Sequence, residues 1–427
     1  MVALPIGITI CGLLATIFCK ANKASQCALF FVLALAVLVP SHSPSRDVLS
    51  AAVGGAVVVL VVAILRSHSL IAKAAPNMSL VLFILYSSGI MFFEADGPYA
   101  WFILLSCTSY LLVSLLVSQP SFNGTAVLYF AVPIFVVIQF LFSIAEEFLG
   151  VKAIWPLTNG TDFITHRLNP IAPWLAGRAM GSTSHPIPLG TLMAICLVVC
   201  LWVAINGGRR RYWLVSLLAA TVILFSGTRS AILAVLVALA FWFSTAAGSK
   251  RLPGYVLGAA TFFIIAVSVD PRTLPGLSGF YSSESYTHRA DVLEFLPELM
   301  QRSLGDLVFG SGYGSIASLL QSSVFSGGSG IQVFDQEYIR TLTATGLVGF
   351  MLLTSSIVEG FRRGNVPSRL VIICLAVTFF SFDALSWNLL MTLFVVAASG
   401  PLFHVDERRE KQMEIDSLQA NNRGLRI

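Results

Sequence analysis

Charge is scarce in this sequence. Only 11% of its 427 residues are Asp, Glu, Lys or Arg, against roughly 25% in a soluble domain. With 56% hydrophobic residues and a mean hydropathy of +0.84, the chain has too little polar surface to cover itself in water. Long period-two alternation is also missing, which excludes a membrane β-barrel. The seven cysteines (11, 19, 27, 107, 196, 200 and 374) all lie in apolar runs or at their edges, a placement that argues against a disulfide framework or a zinc site. No basic segment precedes the first apolar run, so that run reads as a first span and not as a cleaved leader. There is no phosphate-binding loop of the nucleotide-hydrolase type, no Asp-x-Asp pair and no internal repeat. The net charge of +5 does not signal nucleic-acid binding, because the basic residues sort by loop.

What the sequence does have is apolar runs of about 16–24 residues, the length a helix needs to cross roughly 30 Å of hydrocarbon. Backbone in lipid must satisfy its hydrogen bonds within its own segment, so these runs predict an all-α polytopic membrane protein. About 13 transmembrane helices are expected, near 2–19, 26–40, 48–65, 78–94, 98–118, 125–146, 186–205, 211–226, 230–247, 253–269, 339–358, 368–383 and 386–403. The chain then divides into N-terminal helices (1–146), a first long loop (147–185), central helices (186–269), a second long loop (270–338), C-terminal helices (339–405) and a polar tail (406–427).

Seventeen of the 26 basic residues fall in one set of alternate loops and in the tail, among them Arg209, Arg210, Arg211, Arg362, Arg363, Arg408 and Arg409. Cytoplasmic loops carry such an excess. The N-terminus is therefore expected outside and the C-terminus inside, with both long loops extracytoplasmic. Trp155, Trp174 and the Gly, Pro and paired charges of these loops suggest packed structure. Within the second loop, 289–304 reads as an amphipathic helix, with Val292, Phe295, Leu296, Leu299 and Met300 on one face and Arg289, Asp291, Glu294, Glu298 and Arg302 on the other. Gly310, Gly312 and Gly314 then permit a tight turn.

Four arginines lie near span ends on the outer side: Arg178, Arg229, Arg289 and Arg340. Arginine at the membrane rim is costly and usually has a partner or a task. A diphosphate is one such partner, because the guanidinium fork matches phosphate oxygens. The candidate bases are Asp335, Glu337 and His288, followed by His185 and His166. Asp335 and Glu337 are equally placed to pair with Arg340. The three histidines lack metal-ligand spacing.

Four segments, in order, resemble the O-antigen ligase and O-antigen polymerase superfamily of bacterial membrane glycosyltransferases, a GT-C-like architecture. They are GRAMGSTSHPIPLG before a span, FSGTRSAILAV between spans, THRADVLEF leading to LVFGSGYGS, and FDQEYIRTLTATGLVG opening a span. Together they cover roughly residues 175–360; the first six spans resemble the family only in being spans. The resemblance implies that Arg178 and Arg289 hold the diphosphate of a polyprenyl-linked oligosaccharide donor and that Arg229 lines the same pocket. It implies metal-independent transfer, without a cofactor, to a glycan or lipid-linked acceptor on the outer face of a bacterial cytoplasmic membrane. A chain-length regulator or a flippase is the partner class it suggests. Asp335 stands where the ligases carry a histidine, a departure that favours polymerase-like members and leaves His288 and Glu337 open as the base.

Overall fold

The computed structural model describes residues 2–41, 45–67, 74–95, 97–119, 122–155, 169–175, 177–207, 209–246, 296–316 and 336–401. Every regular element among them is helical: α1 (Ala3–Phe18), α2 (Ala21–Leu38), α3 (Arg46–Arg66), α4 (Met78–Glu94), α5 (Gly97–Val117), α6 (Gly124–Leu149), α7 (Pro186–Asn206), α8 (Arg211–Ser226), α9 (Arg229–Ala246), α10 (Leu296–Met300), α11 (Leu304–Phe309), α12 (Glu337–Arg363), α13 (Val366–Phe379), a 3-10 turn (Ala384–Ser386) and α14 (Asn388–Ser399). A helix occupies twelve of the thirteen predicted runs; the run near 253–269 lies outside the described residues. Among the described residues, five helices (α3, α5, α6, α7 and α12) are long and apolar enough to cross a membrane, and seven shorter ones are apolar.

The helices end where local chemistry says they should. Asn77 caps α4 by accepting from the Leu80 amide (3.1 Å). Asn365 caps α13 in the same way, with Pro367 in the first turn. Gly227 closes α8 in the left-handed region (φ 61°). The packing centre is α7: 78% of its apolar window is buried, against 39–50% in the other four long helices. It packs on α8, α9 and α13, while α1, α2, α3 and α6 close one flank and α4, α12 and α14 another. Leu14, Leu65, Phe130, Leu141, Leu217, Leu236 and Met351 remain exposed on the outside of the bundle, an apolar exterior suited to lipid.

The amphipathic helix expected at 289–304 is not continuous. The chain is helical at Leu296–Met300, turns at 301–303 and resumes at Leu304–Phe309, while 289–295 lie outside the described residues. Ser303 starts the new helix by accepting from the Asp306 amide (3.1 Å). That cap ends the face on which periodicity alone had placed Arg302.

Candidate functional site

One end of the bundle carries polar chemistry, built first by the irregular segment 169–185. Backbone buried without helix or sheet must find partners from elsewhere, and here the neighbouring helices supply them. Asn169 accepts from the amides of Ile171 and Ala172 and donates to the carbonyls of Leu224 and Phe225 (2.8 and 2.9 Å), satisfying the C-terminal end of α8. From α6, Glu146 accepts the Met180 amide (2.7 Å) and Gln139 accepts the Ser182 amide (3.0 Å). The segment is tight enough that Ser184 adopts a left-handed φ of 64°.

Arg178 reaches from this segment to the α8–α9 turn. Its Nε donates to the Ser226 carbonyl (2.9 Å) and its Nη2 to Thr228 Oγ1 (3.4 Å). Thr228 Oγ1 in turn donates to the Pro186 carbonyl (2.9 Å), tying the turn to the start of α7. Arg229, the first residue of α9, follows directly on this turn and is half-buried, as Arg178 is. The turn admits only glycine at 227, because a Cβ there would stand 2.7 Å from Asn169 Oδ1. Next to it, His185 caps α7 by accepting the Ile187 amide (3.2 Å) and stacks on Phe382 (5.4 Å, 22°).

A second group forms where α12 is broken. Gly346 has φ 63° and ψ −166° inside α12, so carbonyls just before it lose their helical donors. The 302–314 segment replaces them. Ser311 N–H donates to the Thr343 carbonyl (3.1 Å) and Gly312 N–H to the Ala344 carbonyl (3.0 Å). Arg302 donates to the Thr343 carbonyl (3.1 Å), to Ser311 Oγ (2.8 Å) and to its own turn at Leu299. Burial lowers the Arg302 pKa from the ordinary arginine value, with Asp306 opposing the shift. The close approach explains two glycines: a Cβ on Gly346 would overlap the Gly310 amide and the Val308 carbonyl, and one on Gly310 would overlap Ala344.

The clip then continues to Tyr313, whose amide, like that of Gly314, donates to Glu94 Oε2 (2.8 and 3.1 Å). The Tyr313 hydroxyl meets Ser87 Oγ (2.7 Å), and burial raises its pKa. The Arg340 guanidinium lies 4.8 Å over the Tyr313 ring. Its carboxylate partner is Glu337, at 3.7 Å. Glu337 is 1% exposed and both its oxygens are engaged: Oε1 also accepts from Thr341 Oγ1 (2.9 Å), and Oε2 accepts the Leu385 amide (2.7 Å). The pairing of Glu337 with Arg340, one of the two sequence readings, is the arrangement found.

The 382–387 segment links the two groups. Phe382 and Trp387 pack on His185, Asp383 lies within electrostatic reach of Arg340, and the Leu385 amide binds Glu337. Of the predicted residues, Arg178 and Arg229 thus share one turn, Glu337 and Arg340 share one ion pair, and both sets occupy the same end of the bundle. Asp335, His288, Arg289 and His166 lie outside the described residues. Trp155 is buried and donates to the Leu38 carbonyl (2.9 Å), whereas Trp174 is 81% exposed. Sequence reasoning did not single out Arg302, Tyr313, Glu94 or Asp383 for this site. Gly310, Gly312 and Gly314, read from the sequence as a tight turn, were the one signal of unusual backbone there. Among the described residues, no group of three or more His, Cys, Asp or Glu side chains is placed to hold a metal ion. In comparisons with known proteins, no family model matches this chain and no curated protein matches it.

Proposed function

We propose that this protein is a membrane glycosyltransferase that joins polyprenyl-diphosphate-linked oligosaccharide repeats into a surface polysaccharide. The observation that carries the reading is the meeting of two half-buried arginines at one buried turn, Arg178 bonded to it and Arg229 directly after it, at the same end of the bundle as the Arg340 ion pair. Cationic forks at the rim of an apolar bundle suit a diphosphate whose lipid tail stays in the membrane. The leaving group is already a good one, and arginines stabilise the charge that develops on it. Asp335, one residue before the buried segment, is the base we assign to the acceptor hydroxyl, with His288 as its rival; both acceptor classes, glycan or lipid-linked, suit this chemistry. Arg289 completes the diphosphate clamp in this reading. The bundle has thirteen spans in a bacterial cytoplasmic membrane, with the N-terminus and the site outside and the C-terminus in the cytoplasm.

A transporter or flippase of a lipid-linked or anionic substrate is the second reading, and the break at Gly346 favours it, since broken helices bind substrates in transporters. Against it, the Thr343 and Ala344 carbonyls at the break are already taken by Arg302, Ser311 and Gly312. The test is the length ladder of surface glycan from cells carrying Arg178→Ala or Asp335→Ala, with membrane levels of the protein checked. Under the polymerase reading both variants collapse the ladder to single repeats, Arg178→Ala losing about tenfold or more of the long chains, the weight of one or two charge-assisted contacts. Loss of all carrier-bound glycan with long free chains retained identifies a ligase instead. Unchanged ladders from both variants sink the enzyme reading.

A further inference from the structure

At the opposite end of the bundle, α4 and α12 leave an open groove between them. It is lined by Ser79 of α4 and by Thr354, Ser355, Val358, Glu359, Arg362 and Arg363 of α12. The two arginines have different work. Arg363 is committed to the protein: it donates to the Ala75 and Pro76 carbonyls (3.0 and 3.2 Å) and pairs with Glu359. Arg362 is exposed and makes no hydrogen bond or ion pair among the described residues.

The stripe leading to Arg362 has a polarity gradient. Met351, Thr354, Ser355, Val358 and Arg362 follow one another at helical spacing on one exposed face of α12. Met351 lies at the deep end, hydroxyls and Val358 between, and a cation at the rim. From Met351 to Arg362 the stripe runs eleven residues, about 16 Å along a helix, close to the roughly 15 Å of one leaflet's hydrocarbon. On α4, beside the groove lining, Met78, Leu82 and Leu85 are exposed at the same spacing. A soluble anion would use only the Arg362 end. A molecule with one phosphate and two acyl chains would use the whole length, its chains along the exposed sides of α4 and α12 and its phosphate at the guanidinium.

We propose that the α4–α12 groove binds an anionic glycerophospholipid from the leaflet at the Arg362 end, its phosphate held by Arg362 beside the hydroxyls of Ser79 and Ser355. The proposal requires only that the bundle sits in a membrane and is independent of the glycosyltransferase reading. The Glu359 carboxylate works against such a ligand, so the groove is a weak, exchangeable site.

The experiment is lipid titration of the full-length protein purified in detergent, read by native mass spectrometry and by the thermal midpoint. Phosphatidylglycerol is expected to bind and raise the midpoint, while phosphatidylcholine and glycerol 3-phosphate do neither. Arg362→Gln, an exposed change that leaves the fold intact, should weaken phosphatidylglycerol binding about fivefold to tenfold. Glu359→Gln should strengthen it, because Arg363 keeps its two carbonyl contacts while the opposing charge disappears. Equal binding of both lipids, an effect of glycerol 3-phosphate matching that of the lipid, or unchanged affinity in Arg362→Gln would each overturn the proposal.

Discussion

The Glu337 carboxylate has no oxygen to spare. Thr341, the Leu385 amide and Arg340 surround it, and almost none of it reaches solvent. A general base must reach the proton it takes, and this geometry gives Glu337 the work of holding Arg340 and the 382–387 segment in place. Glu337→Gln keeps an acceptor for the amide but removes the charge opposite Arg340. Breaking a buried pair in this way costs about 3 kcal/mol. Under the proposed function the expected outcome is a lowered thermal midpoint with polymer output falling in proportion. Asp335→Ala should instead lose output at an unchanged midpoint. If Glu337→Gln melts like the native protein yet makes no polymer, the structural assignment is wrong and Glu337 is itself the base. Run length and charge put Glu337 at the end of the second long loop, three residues before Arg340 at the start of a span. They did not tell which of the two readings, catalysis or pairing, would hold, because that depends on Leu385, 48 residues away.

At the scale of elements, the break in α12 and the clip across it form one unit. Gly346 has a backbone conformation that a side chain strains, and its missing Cβ makes room for Gly310 and Val308. Gly346→Ala should therefore push the 302–314 segment off α12 and cost about 2 kcal/mol or more. Hydrogen exchange gives the direct measurement: the Ser311 and Gly312 amides, now bonded to the Thr343 and Ala344 carbonyls, should exchange faster in the variant. Native protection at those two amides would show that the clip does not depend on the glycine. The sequence already marked the turn by its glycines. It hid the partner, since Arg302 belongs by periodicity to a polar helix face and by tertiary structure to a strap across the break. Hydrophobic pattern reports which side of a helix is apolar and says nothing about where the helix stops when a Ser-x-x-Asp cap intervenes.

For the molecule as a whole, the antiparallel order of the helices separates two ends of different chemistry. Arg178, His185, Glu337, Tyr313 and Glu94 gather at one end, and Arg362, Arg363 and Asn77 at the other, where Asn77 donates to the Ser356 and Ala398 carbonyls (both 3.1 Å). Labelling with a membrane-impermeant thiol reagent tests how these ends face the membrane. In a background with Cys11, Cys19 and Cys27 replaced by Ser, Trp174→Cys and Leu304→Cys should react in intact cells, since both side chains are exposed. Asn206→Cys, exposed at the other end of α7, should react only after the membrane is opened. Reaction of all three from the same side would refute the assigned orientation.

The sequence alone determined the class of structure. Scarce charge and apolar runs of membrane-crossing length leave a helical bundle as the way to satisfy backbone in lipid, and among the described residues the helices lie where those runs lie. These are short-range properties, written within some twenty residues. Tertiary structure decided the partners: Arg178 with the α8–α9 turn 48 residues on, Tyr313 with Glu94 219 residues back, and Arg302 with the break in α12. Such contacts depend on how helices pack and on which backbone groups packing leaves unsatisfied. No local pattern encodes that, and the polar end of the bundle is built from it.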